Sequence, residues 1–407
     1  MKGNNILEVS DSVKWIGILD YDIVTFDIVM ETQYGTTYNS YFIDADKKVI
    51  IDTAKEKFKD EYLEKVKSVV DPSQVGYIVC NHTEPDHSGN VKNLLEIAPN
   101  ATVVGSGQAI NYLQEMIDVP FKSLKVKDGD VIDLGNKKLK VIGAPNLHWP
   151  DSIYTYLEDE KILFTCDSFG AHFCKEKMFD DEVENYDDAF NYYFDVILKP
   201  YSKFMLKAIE KIALLEIDTI CPGHGPILRS HWKEMVERSK KMALEYMEQI
   251  SPGKRKVLIT YVSAYGYTRE MAEIVAKGIQ KVSNDFEVNV VDIENIELGE
   301  LDSFITQSSG LLVGSPTINQ NTLLPVYKLF AIINPLRDKG KLAASFGSYG
   351  WSGEAINIID SNLRNLKLNV ICEGASAKFY PFNEKNEKIM EFGESFAKEM
   401  MKMPVEK

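Results

Sequence analysis

Asn81-His82-Thr83-Glu84-Pro85-Asp86-His87-Ser88-Gly89 follows an apolar run over 77–80 and concentrates four candidate metal ligands, His82, Glu84, Asp86 and His87, within six positions. Such density at the end of a strand is rarely structural. In an extended segment side chains alternate between faces, so His82, Glu84 and Asp86 project one way, and a bend at Pro85 returns His87 to the same cavity. Three further candidates stand alone at comparable strand ends: His148 in Asn146-Leu147-His148-Trp149-Pro150-Asp151, Asp167 after the run 162–166, and His224 in Cys221-Pro222-Gly223-His224-Gly225-Pro226. A single histidine is more often a packed structural residue than a ligand, and His172 and His231 are read that way, but seven donors at successive strand ends describe a binuclear metal site.

Outward from this stretch, the first half of the chain carries short β-branched and aromatic runs over 38–43, 49–52, 77–80, 102–105, 139–142, 153–157 and 162–166. Helical patterns fall over 57–70, 91–97 and 109–116, with a longer one over 187–214, and a last strand over 219–221. Many strands with flanking helices predict stacked sheets covered by helices. After a helix over 231–249, Ser251-Pro252-Gly253 breaks the chain, because proline lacks an amide donor and glycine accepts turn geometries. The expected domains are therefore 1–250 and 254–407. At 407 residues, two cores are the prior in any case.

The second half alternates strand and helix: strands over 256–262, 288–292, 311–314 and 342–347, and helices over 269–282, 323–333, 354–366 and 383–401. That order predicts a doubly wound parallel sheet. Ser263-Ala264-Tyr265-Gly266-Tyr267-Thr268 separates the first strand from its helix, so hydroxyls, free amides and the positive helix end can hold a terminal phosphate without a lysine. Pro316-Thr317-Ile318-Asn319 follows the third strand, and Ser348-Tyr349-Gly350-Trp351-Ser352-Gly353 the fourth. Ligands bind at the carboxyl ends of such strands, so the three loops should converge on one molecule, with small polar groups and aromatics suited to a flavin. No Gly-x-Gly-x-x-Gly motif supports a dinucleotide in the Rossmann manner.

With these motifs in hand, residues 1 to about 250 resemble the metallo-β-lactamase-like superfamily, which implies an αββα sandwich, and 254–407 resemble flavodoxin, which implies FMN. Together the chain is similar to the flavodiiron family, an α+β domain followed by an α/β domain. Hydrolytic members of the superfamily commonly carry histidine where this chain has Glu84, and the added carboxylate shifts preference from zinc toward iron or manganese. The resemblance implies that His82, Glu84 and His148 bind one iron, Asp86, His87 and His224 the other, with Asp167 bridging, while Tyr193 and His172 line the pocket. It implies reduction of O2 to water or of NO to N2O, with electrons passing through FMN from an external donor such as rubredoxin, a flavin reductase or reduced deazaflavin. A head-to-tail homodimer would bring each flavin to the partner's irons. Tyr267 departs from the asparagine common in related loops.

Two rivals are a metal-dependent hydrolase and an electron-transfer flavoprotein with a non-catalytic metal site. Glu84 and the flavodoxin-like half oppose the first, and the complete donor set opposes the second. Net charge is −15, against phosphate backbones and anionic membranes. The basic run Lys254-Arg255-Lys256 reads as a solvated linker. Five cysteines without a Cys-x-x-Cys pair exclude zinc ribbons and a fused rubredoxin, and the lack of a long apolar run predicts a cytoplasmic protein.

Overall fold

In the computed structural model, which describes residues 6–26, 30–250, 255–335, 337–379 and 384–403, the chain divides into two units, Met1–Met247 and Glu248–Lys407. The predicted break at Ser251-Pro252-Gly253 and the first lysine of the basic run lie outside the described residues. Arg255 and Lys256 are not linker; they open the strand Arg255–Tyr261, because the apolar run that follows pairs from its first residue.

The first unit is a sandwich of two sheets. One orders Leu7–Glu8, Val13–Trp15, Tyr41–Ile43, Lys48–Ile51, Val75–Val79, Thr102–Ser106 and Lys122–Val126; the other orders Val131–Asp133, Lys138–Gly143, Ile153–Leu157, Ile162–Cys166 and Thr219–Pro222. Side-chain alternation places the layers. Tyr41, Ile43, Val49, Ile51, Val79 and Val104 meet Val141, Ile153, Leu157 and Phe164 between the sheets. Phe42, Ile50, Ile78 and Val103 point the other way, onto helices Lys59–Val69, Val91–Ile97 and Gly107–Met116. On the second sheet Tyr154, Tyr156 and Leu163 face helices Asp187–Tyr193, Ser202–Ile212 and Trp232–Ile250. Both sheets are covered twice, which is why their strands read as continuous apolar runs.

Two local expectations are revised. The strand expected over 38–43 is two strands, Thr36–Tyr38 and Tyr41–Ile43, which pair in different sheets. Asn39 separates them, its amide donating to the Pro222 and Gly225 carbonyls at 2.9 and 3.0 Å. The helix expected over 187–214 is interrupted by a π-helical stretch Phe194–Leu198 and a 3-10 turn Lys199–Tyr201 before Ser202–Ile212. Pro200 has no N–H to give and its ring displaces the preceding carbonyl, so the ladder loosens there.

The second unit is a parallel sheet in the order Phe286–Asp292, Arg255–Tyr261, Gly310–Gly314, Leu342–Tyr349, Asn369–Val370, with Ala375–Lys378 also beside Leu342–Tyr349. Helices Tyr267–Val282 and Glu384–Lys402 cover one face through Met271, Val275, Ile279, Phe392 and Phe396. Leu298–Gln307, Leu324–Ile332 and Glu354–Asn365 cover the other through Leu301, Ile305, Leu329, Ile359 and Leu363. The strand order reverses between Arg255–Tyr261 and Gly310–Gly314, the switch point at whose carboxyl ends doubly wound sheets bind their ligands. Among the described residues no helix is long and apolar enough to cross a membrane.

Candidate functional site

The ligand-dense stretch is held from several directions. Asn81 N–H donates to Asp52 Oδ1 at 2.7 Å, and its carbonyl accepts Ile153 N–H at 2.9 Å, tying the strand end to both sheets. Thr83 donates through its N–H and its hydroxyl to Asp151 Oδ2, each at 2.7 Å. Extended alternation ends at Glu84, contrary to the expected run through Asp86. Proline's fixed φ starts a helical turn, Pro85–Ser88. That turn carries Asp86 and His87 to one side of the pocket while His82 and Glu84 face the other.

All seven sequence-predicted donors meet. His82, Glu84, His148 and Asp167 form one group, and Asp86, His87 and His224 a second; within each, the ligand atoms lie within 4.8 Å of one another. Glu84 Oε2 is 3.2 Å from His82 Nε2 and 3.0 Å from His148 Nε2. Asp86 Oδ2 is 3.3 Å from His87 Nε2 and 3.1 Å from His224 Nε2. Asp167 spans the two groups. Its Oδ2 stands 3.4 Å from His82 Nε2 and 3.3 Å from His148 Nε2, and its Oδ1 is 3.0 Å from His87 Nε2 and 3.6 Å from His224 Nε2.

This chemistry fits a pair of cations. Asp86 Oδ1, Asp86 Oδ2 and Asp167 Oδ2 are buried without a hydrogen bond, an arrangement that costs free energy unless a charge faces them. Without metal, protons take that place. Burial works against charging His82, but its bonds to Asp151 and Glu84 outweigh it and lift its pKa to about 10. Burial likewise loses to Asp167 and Glu84 at His148, also lifted to about 10, and to Asp86 and Asp167 at His87, lifted to about 9. Burial would raise the Asp167 pKa, but the charge on His87 and the closeness of the His87 and His148 rings hold it well below the carboxylate range. Three carboxylates and four imidazoles form the hard, mixed donor set that suits iron.

The surroundings orient the donors. His82 Nδ1 faces Asp151 Oδ1 at 3.3 Å, and His224 Nδ1 faces the Thr37 carbonyl at 2.5 Å, which fixes each ring so that Nε2 points inward. Tyr193 donates its phenol to Asp167 Oδ1 at 3.2 Å, and burial followed by the Asp167 charge pushes its pKa up, so it stays neutral. His172 stands one ring back, 5.2 Å from His224 and 4.9 Å from Tyr193 between centroids, with Nδ1 2.9 Å from Thr36 Oγ1. Burial and then the His224 charge keep it neutral. Sequence reading gave Asp151 no role, although it lies in the His148 motif, because its partner is 69 positions away. Cys166, read as an ordinary thiol, also comes within 4.8 Å of His87 and Asp167 ligand atoms. Asp151→Ala is expected to weaken iron binding by roughly 10 to 100-fold, measurable by competition with a chelator; unchanged affinity would show that Thr83 and the backbone suffice to orient His82.

In the second unit the three predicted loops meet at the switch point. Thr317 N–H donates to the Ser348 carbonyl at 2.9 Å, and Thr268 Oγ1 lies 2.9 Å from Ser348 Oγ, so Ser348 joins the other two loops. Thr268 is fully buried, which turns its hydroxyl inward rather than toward the loop mouth. Gly266 adopts φ +82°, a left-handed conformation in which glycine carries no steric penalty, and helix Tyr267–Val282 starts directly after it. Ala264 is exposed beside it. Tyr265 and Trp351 are 79% and 75% exposed, so flat aromatic faces stand free on two of these loops. Tyr349 packs its ring near Gly353, while Pro316 is buried and Ile318 and Asn321 close a tight turn around Asn319. Gly350 and Ser352 flank Trp351 at partial exposure.

A family described as ODP family beta lactamase matches residues 36–225, and the flavodoxin family matches 259–393. The chain is 40% identical to the flavo-diiron protein FprA2 of Clostridium acetobutylicum over 96% of this chain and 99% of that one. It is 35% identical to the type A flavoprotein fprA of Rhodobacter capsulatus, over 96% and 90%. Among solved structures, rubredoxin oxygen:oxidoreductase from Desulfovibrio gigas superposes with a TM-score of 0.70 at 27% identity, covering 98% of this chain and 99% of that one. The flavodiiron protein from Giardia intestinalis gives 0.68 at 29% identity, covering 98% of each.

Proposed function

The chain belongs to the flavodiiron protein family, and from that membership we propose that it reduces O2 to water, NO to N2O, or both. It is an oxidoreductase, and its cofactors are FMN and a non-haem diiron centre. Asp167 is the residue on which the metal assignment rests: one carboxylate offers its two oxygens to two separate groups of donors. In this assignment His82, Glu84 and His148 would hold one iron and Asp86, His87 and His224 the other, with Asp167 offered to both. When bound, the iron pair supplies electrons jointly to a diatomic gas, and the flavin replenishes them.

The residues around the centre have distinct tasks. Asp151 and the Thr37 carbonyl hold His82 and His224 in the ring orientation that a metal needs. Tyr193 keeps its proton and orients Asp167 through it. His172, neutral and buried, fills the wall behind His224 and keeps water from that side. The loops 263–268, 316–319 and 348–353 would hold FMN, with Trp351 or Tyr349 beside its ring. Electrons come from an external donor, for which rubredoxin, a flavin reductase and reduced deazaflavin are the candidate classes. A head-to-tail homodimer in the cytoplasm completes the reading, each flavin serving the partner's irons.

The test is anaerobic stopped-flow of the reduced, iron-loaded protein against O2 and against NO, with flavin and iron absorbance followed together. Reoxidation by at least one gas is expected on the order of 1 s⁻¹ or faster. Inertness toward both gases, or a zinc-filled protein that hydrolyses esters, removes the proposal. Full turnover by a strictly monomeric protein removes the dimer from it.

A further inference from the structure

Two hydroxyls of the phosphate cradle assigned to 263–268 have partners within the fold, and neither supplies a positive charge. Thr268 Oγ1 is buried against Ser348 Oγ, and Ser263 Oγ accepts the Arg269 N–H at 3.3 Å. Arg269 itself is out of place by local rules. It is the third residue of helix Tyr267–Val282, in the first turn, where the helix dipole disfavours a cation. Its side chain is exposed, and among the described residues no carboxylate stands within 4 Å of its guanidinium, although the chain carries 61 acidic residues. The side chain instead folds back over the loop. A Cβ built on Gly266 would meet a single neighbour, Arg269 Nη2, at 3.7 Å.

A cation that forgoes a carboxylate and lies along the apex of an amide-rich turn is arranged for an anion. The guanidinium is a planar fork whose parallel N–H groups match two phosphate oxygens, and it stays charged at any working pH. The amides at the helix start and the guanidinium then face the same point, and the unfavourable helix position is offset once a dianion sits between them. We infer that Arg269 binds the terminal phosphate of the flavin and is the residue by which this chain selects FMN over unphosphorylated riboflavin. The inference rests on the assignment of 263–268 to that phosphate.

The full chain, stripped of flavin, is titrated with FMN and with riboflavin by fluorescence quenching, as wild type, Arg269→Gln and Arg269→Lys. Arg269→Gln is expected to weaken FMN binding about thirtyfold, the range for a hydrogen bond to a charged group, while riboflavin affinity holds within about twofold because no phosphate is present to lose. Arg269→Lys recovers part of the loss, since an ammonium restores charge without the fork. Added salt weakens FMN binding to the wild type more than to Arg269→Gln. Equal FMN affinity in wild type and Arg269→Gln overturns the inference, as does an equal loss of FMN and riboflavin, which marks a structural role. A wild type that holds FMN no more tightly than riboflavin shows that the phosphate assignment itself has failed, and the inference falls with it.

Discussion

Asp167→Asn is expected to leave less than about one iron per chain and to lower gas-reductase activity by at least roughly 10³-fold, with FMN content unchanged. Asparagine preserves volume and can still accept the Tyr193 phenol at Oδ1, so folding is not the cause. The amide oxygen, however, carries no charge, and the NH2 that replaces Oδ2 would point a donor at His82 and His148, which approach that oxygen at 3.4 and 3.3 Å. Losing even an outer partner of a metal ligand costs roughly 10 to 100-fold in affinity or activity; Asp167 serves two metal positions directly, and the penalties multiply. Colorimetric iron and flavin absorbance on one sample decide the matter. A variant that keeps two irons and turns over within about tenfold of wild type would show that Asp167 does not bridge.

Gly347→Ala should act on the other cofactor, lowering FMN affinity by about 100-fold or more and destabilising the second unit by about 3 kcal/mol. A Cβ at this position would lie 2.2 Å from the Ser315 carbonyl oxygen, a backbone atom that cannot rotate away as a side chain can. Ser315 N–H bonds the Phe346 carbonyl at 3.1 Å, and Thr317 N–H bonds the Ser348 carbonyl at 2.9 Å, so the methyl group wedges between two loops stitched on both sides of it. Ser348 also meets Thr268, which spreads the displacement to the phosphate loop. Denaturant unfolding and FMN titration measure the two effects, with iron content as the internal control. FMN affinity within about threefold of wild type would mean that the loops can part without harm to the site.

Much of this chain is legible because its chemistry is concentrated at strand ends. The stretch 81–89 follows a buried strand, and a buried strand end cannot leave four ionisable groups unpaired, so their convergence follows from the pattern alone. His148, Asp167 and His224 are readable for the same reason, each closing an apolar run. In the second half, strand and helix alternate with loops rich in glycine and hydroxyls, and a parallel sheet puts all such loops at one end.

What stayed hidden depends on partners distant in sequence. Asp151 looks like any surface aspartate until Thr83 and His82, 68 and 69 positions away, are laid against it. The Thr268 hydroxyl reads as a phosphate ligand, and only the fold sets it 2.9 Å from Ser348 Oγ, 80 positions on. Arg269 reads as the ordinary start of an exposed helix face, and only the course of its side chain over Gly266 marks it.

Periodicity and donor density, then, pointed to two domains, to the kind of sheet in each and to which seven side chains could bind metal, because burial forces alternation along each strand and forbids unpaired charge at its end. Tertiary structure alone decided which oxygen faces which imidazole, where Pro85 turns the ligand loop, and which hydroxyls meet each other within the fold. Those choices are made by distances of about 3 Å between groups far apart in the chain, and no local pattern encodes them.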